Sequence, residues 1–255
     1  MRFLLADDQE EIRELTTHRL EHSGHTVVSC PDGAAALQAF HREKFDVVLL
    51  DEEMPAMSGV QVLRAIRTQE QDTGHRSFII ALTGNNTPED CRRLLAAGFD
   101  AVLGKPFRLE SLNALINVAP EHLSRPEKSV LLPTASVMQK TPLERVGGDE
   151  ILLRRLIRLF LRDNPKRMAT LSKALTAEDS ATLLSCAHSL KGSLSFFATE
   201  QALEILKQFQ LAVRDKDFAA ATRHYSTFKE DIANLEVNLR RYAKQPKVKP
   251  RPKRR

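Results

Sequence analysis

The chain lacks much of what marks several functional classes. Its 255 residues include three cysteines, no tryptophan and 5% aromatics. Cys30, Cys91 and Cys186 are scattered, odd in number and form no CxxC pair. That pattern argues against a disulfide framework or a zinc site and suits reduced thiols in a cytoplasm. No stretch approaches 18 consecutive apolar residues, so no segment reads as a membrane span. The N-terminus, Met1 to Asp8, turns acidic too early for a signal peptide. No helix-turn-helix, Gly-rich nucleotide loop or P-loop is present, so neither a dedicated promoter-binding domain nor nucleotide-driven chemistry is expected.

The net charge of +5 is a property of the C-terminal tail. Lys244, Lys247, Lys249, Arg251, Lys253, Arg254 and Arg255 fall within residues 244–255, which contain no acid. Without these seven the remainder stands at −2, so the domains offer no electrostatic case for nucleic acid. The tail alternates basic residues with proline and reads as disordered. It reads as a solubilising end or as a contact for nucleic acid, an acidic partner or anionic lipid.

Residues 1–119 alternate short apolar runs with amphipathic segments. Strands are expected at Phe3–Ala6, Thr26–Ser29, Asp46–Leu50, Phe78–Leu82 and Ala101–Gly104, with helices near 9–22, 33–43, 59–70, 88–97 and 108–118. This alternation predicts an α/β doubly wound, five-stranded parallel sheet. Residues 120–142, with four prolines, read as a linker, with local helix expected around Ala135–Gln139. From 143 to 243 the periodicity is helical throughout and predicts an all-α four-helix bundle. Its first stripe runs Leu153, Ile157, Phe160, Met168, Leu171 and Leu175, and Pro165 should kink or split that helix. Asp179 or Ser180 should cap the second helix, and Thr199 the third.

In a doubly wound sheet, ligands bind beyond the carboxyl ends of the strands. Asp7, Asp8, Asp51, Thr83 and Lys105 all fall at such ends. Carboxylates suit Mg²⁺ or Mn²⁺, and a metal, an ammonium and a hydroxyl together suit the oxygens of a phosphoryl group. Taken singly, the DD pair could be a helix cap and Lys105-Pro106 a turn. The set Asp7-Asp8, Asp51 with Met54-Pro55 and Gly59, Thr83, and Lys105-Pro106-Phe107 resembles the response-regulator receiver domain, with its flavodoxin-like fold. The resemblance implies phosphorylation of Asp51 and a metal held by Asp8, Asp51 and the Glu53 carbonyl with Asp7 nearby. It implies that Thr83 and Lys105 sense the phosphoryl group. One departure is Val102, where the family often has an aromatic switch residue.

On the second helix of the bundle, His188 is turned about 100° from the core stripe of Leu183, Ala187, Leu190 and Leu194. It shares a flanking face with Lys191 and Gly192. A glycine inside a helix costs about 1 kcal/mol relative to alanine, and an approach path to the imidazole would explain it. Within a four-helix bundle, His188-Ser189-Leu190-Lys191-Gly192 is similar to the histidine-phosphotransfer (HPt) domain. The similarity implies a phospho-acceptor at His188 supported by Lys191 and Gly192. Gln210 and Arg214 match positions that flank the histidine in some members, and ordinary solvated residues are the competing reading. The remaining histidines read as surface or packing residues.

The two resemblances together imply a cytoplasmic two-component phosphorelay protein, a phosphotransfer intermediate lacking an ATP-binding kinase core. A sensor histidine kinase and other receiver domains would be its partners. The alternative is a regulatory or scaffold protein in which Asp51 phosphorylation gates partner binding or access to the bundle. A third reading, the C-terminal part of a hybrid kinase, is disfavoured by Met1 lying directly before the first strand. A linker of roughly 23 residues has a coil span of about 25–29 Å, which permits exchange between Asp51 and His188 of one chain without requiring it.

Overall fold

The computed structural model describes residues 1–84, 87–105, 107, 111–117, 130–131, 141–146, 148–197 and 200–244. The N-terminal half runs β1 (Arg2–Ala6), α1 (Glu10–His22), β2 (Thr26–Cys30), α2 (Gly33–Arg42), β3 (Val47–Asp51), α3 (Gly59–Thr73), β4 (Phe78–Thr83), α4 (Pro88–Ala96), β5 (Ala101–Gly104) and α5 (111–117). All strand pairs are parallel, in the order β2-β1-β3-β4-β5, with a sixth strand, β6 (Val130–Leu131), beyond β5.

Alternate residues of each strand feed opposite cores, as pleating requires. Leu4, Val48, Leu50 and Ile79 pack with Phe40 of α2 and Val62, Leu63 and Ile66 of α3. Phe3, Val47, Leu49, Phe78 and Ile80 pack with Leu20 of α1 and Leu112, Leu115 and Ile116 of α5. Burying each such side chain contributes about 1.5–3 kcal/mol.

The sixth strand, β6 (Val130–Leu131), lies inside the stretch expected as a linker. It continues the sheet beyond β5, with Ala101 beside Val130 and Val102 beside Leu131. A two-residue strand has no periodicity to read. The helix expected at Ala135–Gln139 lies outside the described residues, as do the Thr199 cap and the tail beyond Lys244.

The second half runs α6 (Pro142–Arg145), α7 (Glu150–Thr176), α8 (Ser180–Leu194), α9 (Glu200–Arg214) and α10 (Phe218–Lys244). α7 packs on α8 and α10, and α9 packs on α8 and α10, closing a four-helix ring. Asp149 caps α7 by accepting from Leu152 N at 2.9 Å, and Asp179 caps α8 by accepting from Thr182 N at 3.1 Å. The expected split at Pro165 does not occur: α7 is one helix from Glu150 to Thr176. Proline removes one donor, while buried Phe160 and Leu171 anchor the turns on either side. Asn164, also buried, donates from Nδ2 to Glu236 Oε1 of α10 at 2.7 Å.

α1 belongs to both halves. Leu20 faces the sheet, whereas Ile12 and Leu15 join the bundle core.

Candidate functional site

Strand register creates the site. Ala6 lies beside Leu50, Asp51 beside Leu82 and Thr83 beside Gly104, so β1, β3, β4 and β5 end at one rim. That rim brings together all five side chains expected there. Lys105 Nζ sits 2.5 Å from Asp7 Oδ2 and 2.8 Å from Asp51 Oδ2, with all three residues buried. Burial pushes the Asp7, Asp8 and Asp51 carboxyls up to about 6 each, against the opposing pull of Lys105. Burial also works against the Lys105 charge, but Asp51 and Asp7 outweigh it and hold the ammonium above its usual range.

Three carboxylates therefore face one ammonium. Asp7, Asp8 and Asp51 each offer an oxygen within 4.8 Å of the others, and Asp8 Oδ1 is buried with no hydrogen-bond partner among the described residues. An orphaned oxygen in a charge-deficient pocket fits a hard divalent cation. The Thr83 hydroxyl donates to Glu52 Oε2 at 2.6 Å, and Glu52 in turn pairs with Arg93 of α4. Val102 is buried in the core beneath.

Sequence pattern put His188 on an exposed flanking face; instead its side chain is only 12% exposed, because α8 docks against this rim. Its Nδ1 lies 3.3 Å from Glu53 Oε2. A Cβ at Gly84 would stand 3.0 Å from its Cε1, so the glycine after Thr83 is what lets the ring approach β4. Lys191 Nζ donates to the Gly84 carbonyl at 2.7 Å, tying α8 to the same strand end. Burial, then the Lys105 and Lys191 cations, push His188 down to about 4 and keep the imidazole neutral near pH 7.

The docking extends along α1. Glu11, fully buried, pairs with Arg167 at 3.2 Å, and Arg167 also donates to Ser193 Oγ at 2.7 Å. Glu10 pairs with Arg162 at 2.6 Å, Glu14 with Arg155, and His18 with Asp149 at 3.1 Å. As α1 advances from Glu10 to Glu14, its partners retreat along α7 from Arg162 to Arg155, so the two helices run antiparallel.

The model of the response regulator receiver domain matches residues 3–117, and that of the Hpt domain matches residues 155–238. The chain carries a receiver domain followed by an Hpt domain. This is the domain pair of a two-component phosphorelay protein. The sensor histidine kinase AruS of Pseudomonas aeruginosa is 31% identical over 190 residues, covering 74% of this chain and 19% of that protein. The sensory/regulatory protein RpfC of Xanthomonas campestris pv. campestris is 30% identical over 204 residues, covering 76% of this chain and 28% of that protein. This chain thus spans less than a third of either relative. A solved Francisella response regulator receiver domain is 26% identical, with 49% of this chain and 98% of that one covered and a TM-score of 0.43. Among the described residues no helix is long and apolar enough to cross a membrane.

Of the Hpt residues singled out in the sequence, Lys191 and Gly192 lie at the docked face. Arg214 is exposed but acts electrostatically on Glu53 and Lys191. Gln210 makes no hydrogen bond to the site among the described residues. Sequence reading missed the contact of the Glu53 side chain with His188, Gln9, and the acids of α1. Glu10 and Glu14 are spaced four apart on one helix face, opposite a run of arginines in α7, which is the signal that could have exposed the docking. His18, read as an ordinary surface residue, belongs to this interface.

Proposed function

We propose that the chain exchanges a phosphoryl group between Asp51 of its receiver and His188 of its own Hpt domain. The observation that carries this reading is the His188 ring seated at the receiver rim, with Glu53 near Nδ1, Gly84 beside Cε1 and Lys105 charging its surroundings.

In this reading Asp7, Asp8, Asp51 and the Glu53 carbonyl would hold Mg²⁺ or Mn²⁺, which would supply charge neutralisation to phosphoryl oxygens. Asp51 is the acceptor on the receiver side. Lys105 bridges Asp7 and Asp51 in the unphosphorylated state and turns to the phosphoryl group once it forms. Thr83 exchanges its Glu52 partner for a phosphoryl oxygen. Glu53, near Nδ1, favours the tautomer with hydrogen on Nδ1 and the lone pair on Nε2. In transfer the Asp51 Oδ–P bond breaks and its electron pair stays on the carboxylate. The Nε2 lone pair forms the new N–P bond, and the ring's positive charge faces Glu53. Water exclusion by the docked α8 protects the group in transit. A cytoplasmic sensor histidine kinase would load Asp51, and separate receivers would draw from His188.

The burial of His188 favours a second reading, in which the receiver gates access to the Hpt domain. The two readings separate on the location of label. The wild type, Asp51→Asn and His188→Gln chains are incubated with acetyl phosphate and Mg²⁺. Transfer predicts acid-labile label in the wild type alone and base-labile label in His188→Gln. Base-labile label without any acid-labile label in the wild type would leave gating and remove transfer.

A further inference from the structure

Gln9 is an uncharged polar side chain set between the two acceptors. It directly follows the Asp7-Asp8 pair, and its backbone N–H donates to Asp7 Oδ1 at 2.9 Å, which fixes where its side chain starts. From there the carboxamide reaches across the domain boundary to α8. It is 99% buried, given its exposure of 1%, and neither Oε1 nor Nε2 has a hydrogen-bond partner among the described residues. A buried carboxamide with no partner loses about 1–3 kcal/mol per orphaned group, so such a residue usually has an unseen partner.

Its surroundings identify that partner by chemistry. Gln9 lines a cavity of about 40 Å³ together with Lys105, Gly84, His188, Lys191 and Gly192. The cavity thus joins the ammonium nearest Asp51 to the receiving imidazole. Two cations and an amide bearing two N–H donors converge where a phosphoryl group must pass. The same contact accounts for Gly192. A Cβ there would fall 2.1 Å from Gln9 Oε1 and 2.6 Å from Nε2, so the glycine leaves the carboxamide room to sit against α8 in this position. The glycine makes room for a receiver side chain, not only for the approach to the imidazole that the sequence suggested.

Building on the transfer reading, we propose that Gln9 is a phosphoryl-contacting residue for exchange between Asp51 and His188. Its Nε2 donates to an equatorial phosphoryl oxygen while the Asp51 Oδ–P bond breaks and the Nε2–P bond to His188 forms. No proton leaves Gln9, and no further reactant enters. Gly192 positions it.

The test follows transfer in the full-length chain already labelled on Asp51, so the loading step does not enter. Gln9→Met keeps the length and most of the volume of the side chain and removes both polar groups. Loss of one preorganised donor lowers such a step about 100-fold. The expected result is acid-labile phosphate on His188 appearing about 100-fold more slowly in Gln9→Met, with the amide-exchange protection of α1 and α8 unchanged. A rate within threefold of wild type would reduce Gln9 to packing and overturn the proposal. Lost protection of α1 and α8 would make it a docking residue and overturn it equally. If the wild type itself never labels His188, both the transfer reading and this proposal fall. If the wild type transfers and Gln9→Met matches it, only this proposal does.

Discussion

The two phosphoryl sites differ in how much chemistry each brings. The receiver rim holds two buried carboxylates and a half-buried one, an ammonium and a hydroxyl on the ends of four strands, locked by sheet register. The Hpt face holds one imidazole, one lysine and one glycine on a single helix. Glu53, Gly84, Gln9 and Lys105, which also surround His188, come from the receiver. A histidine site of this kind is completed only by docking. The chemistry is therefore concentrated on one side, and the other side supplies a neutral nucleophile and a surface to dock.

That contrast can be broken most severely at Arg167. It is the partner of fully buried Glu11 and reaches Ser193 beside Gly192. Arg167→Ala leaves Glu11 buried and unpaired, which costs docking about 2–5 kcal/mol. Amide exchange of α1 should rise by 10-fold or more, and transfer to His188 should slow in parallel. Loading of Asp51 by acetyl phosphate should be unaffected, since that chemistry resides wholly in the receiver. Impaired loading would blur the division of labour between the two sites.

A smaller effect is expected at Asp8. Burial and the neighbouring Asp7 raise its carboxyl to about 6, above its value in an unfolded chain. The charged form is therefore disfavoured in the folded, metal-free protein. Asp8→Asn should stabilise that state by about 1–3 kcal/mol at pH 7. The gain should shrink as pH falls from about 6 to about 4, because the folded carboxyl then protonates and the penalty disappears. The same substitution should abolish the rise in melting temperature that Mg²⁺ gives the wild type. Thermal melts with and without Mg²⁺ at several pH values measure both. A destabilised metal-free variant would mean that the three carboxylates are not in electrostatic conflict.

The weakest effect belongs to the exposed rungs of the α1–α7 ladder. Arg155 is 63% exposed, and its pair with Glu14 should contribute about 0.2–1 kcal/mol, less at high salt. Arg155→Glu should loosen docking a few-fold, and Glu14→Arg in the same chain should restore it. Failure of the double variant to recover would show that the ladder orients nothing.

The same contrast explains what the sequence disclosed. The rim was legible because the ends of apolar runs mark strand ends, and parallel topology forces Asp7, Asp51, Thr83 and Lys105 together. The bundle was legible from its 3- and 4-residue spacings. The docking was not. Its contacts join Glu10 to Arg162 and Glu11 to Arg167, across roughly 150 residues of chain, and no local periodicity encodes them. Ile12 and Leu15, on a helix of the first domain, complete the core of the other domain. Pro165 does not split its helix, because packing on both sides holds it across the lost donor. Gln9 carries no motif at all, and only its burial without a partner and its fit over Gly192 single it out.

The central claim is that Asp51 and His188 of one chain meet. It is tested most directly by the concentration dependence of transfer in protein already labelled on Asp51. Transfer within the docked chain predicts a first-order rate of His188 labelling that stays constant over about a 100-fold dilution. A rate that falls in proportion to protein concentration would mean that each His188 is served by the receiver of another molecule, and would contradict the claim.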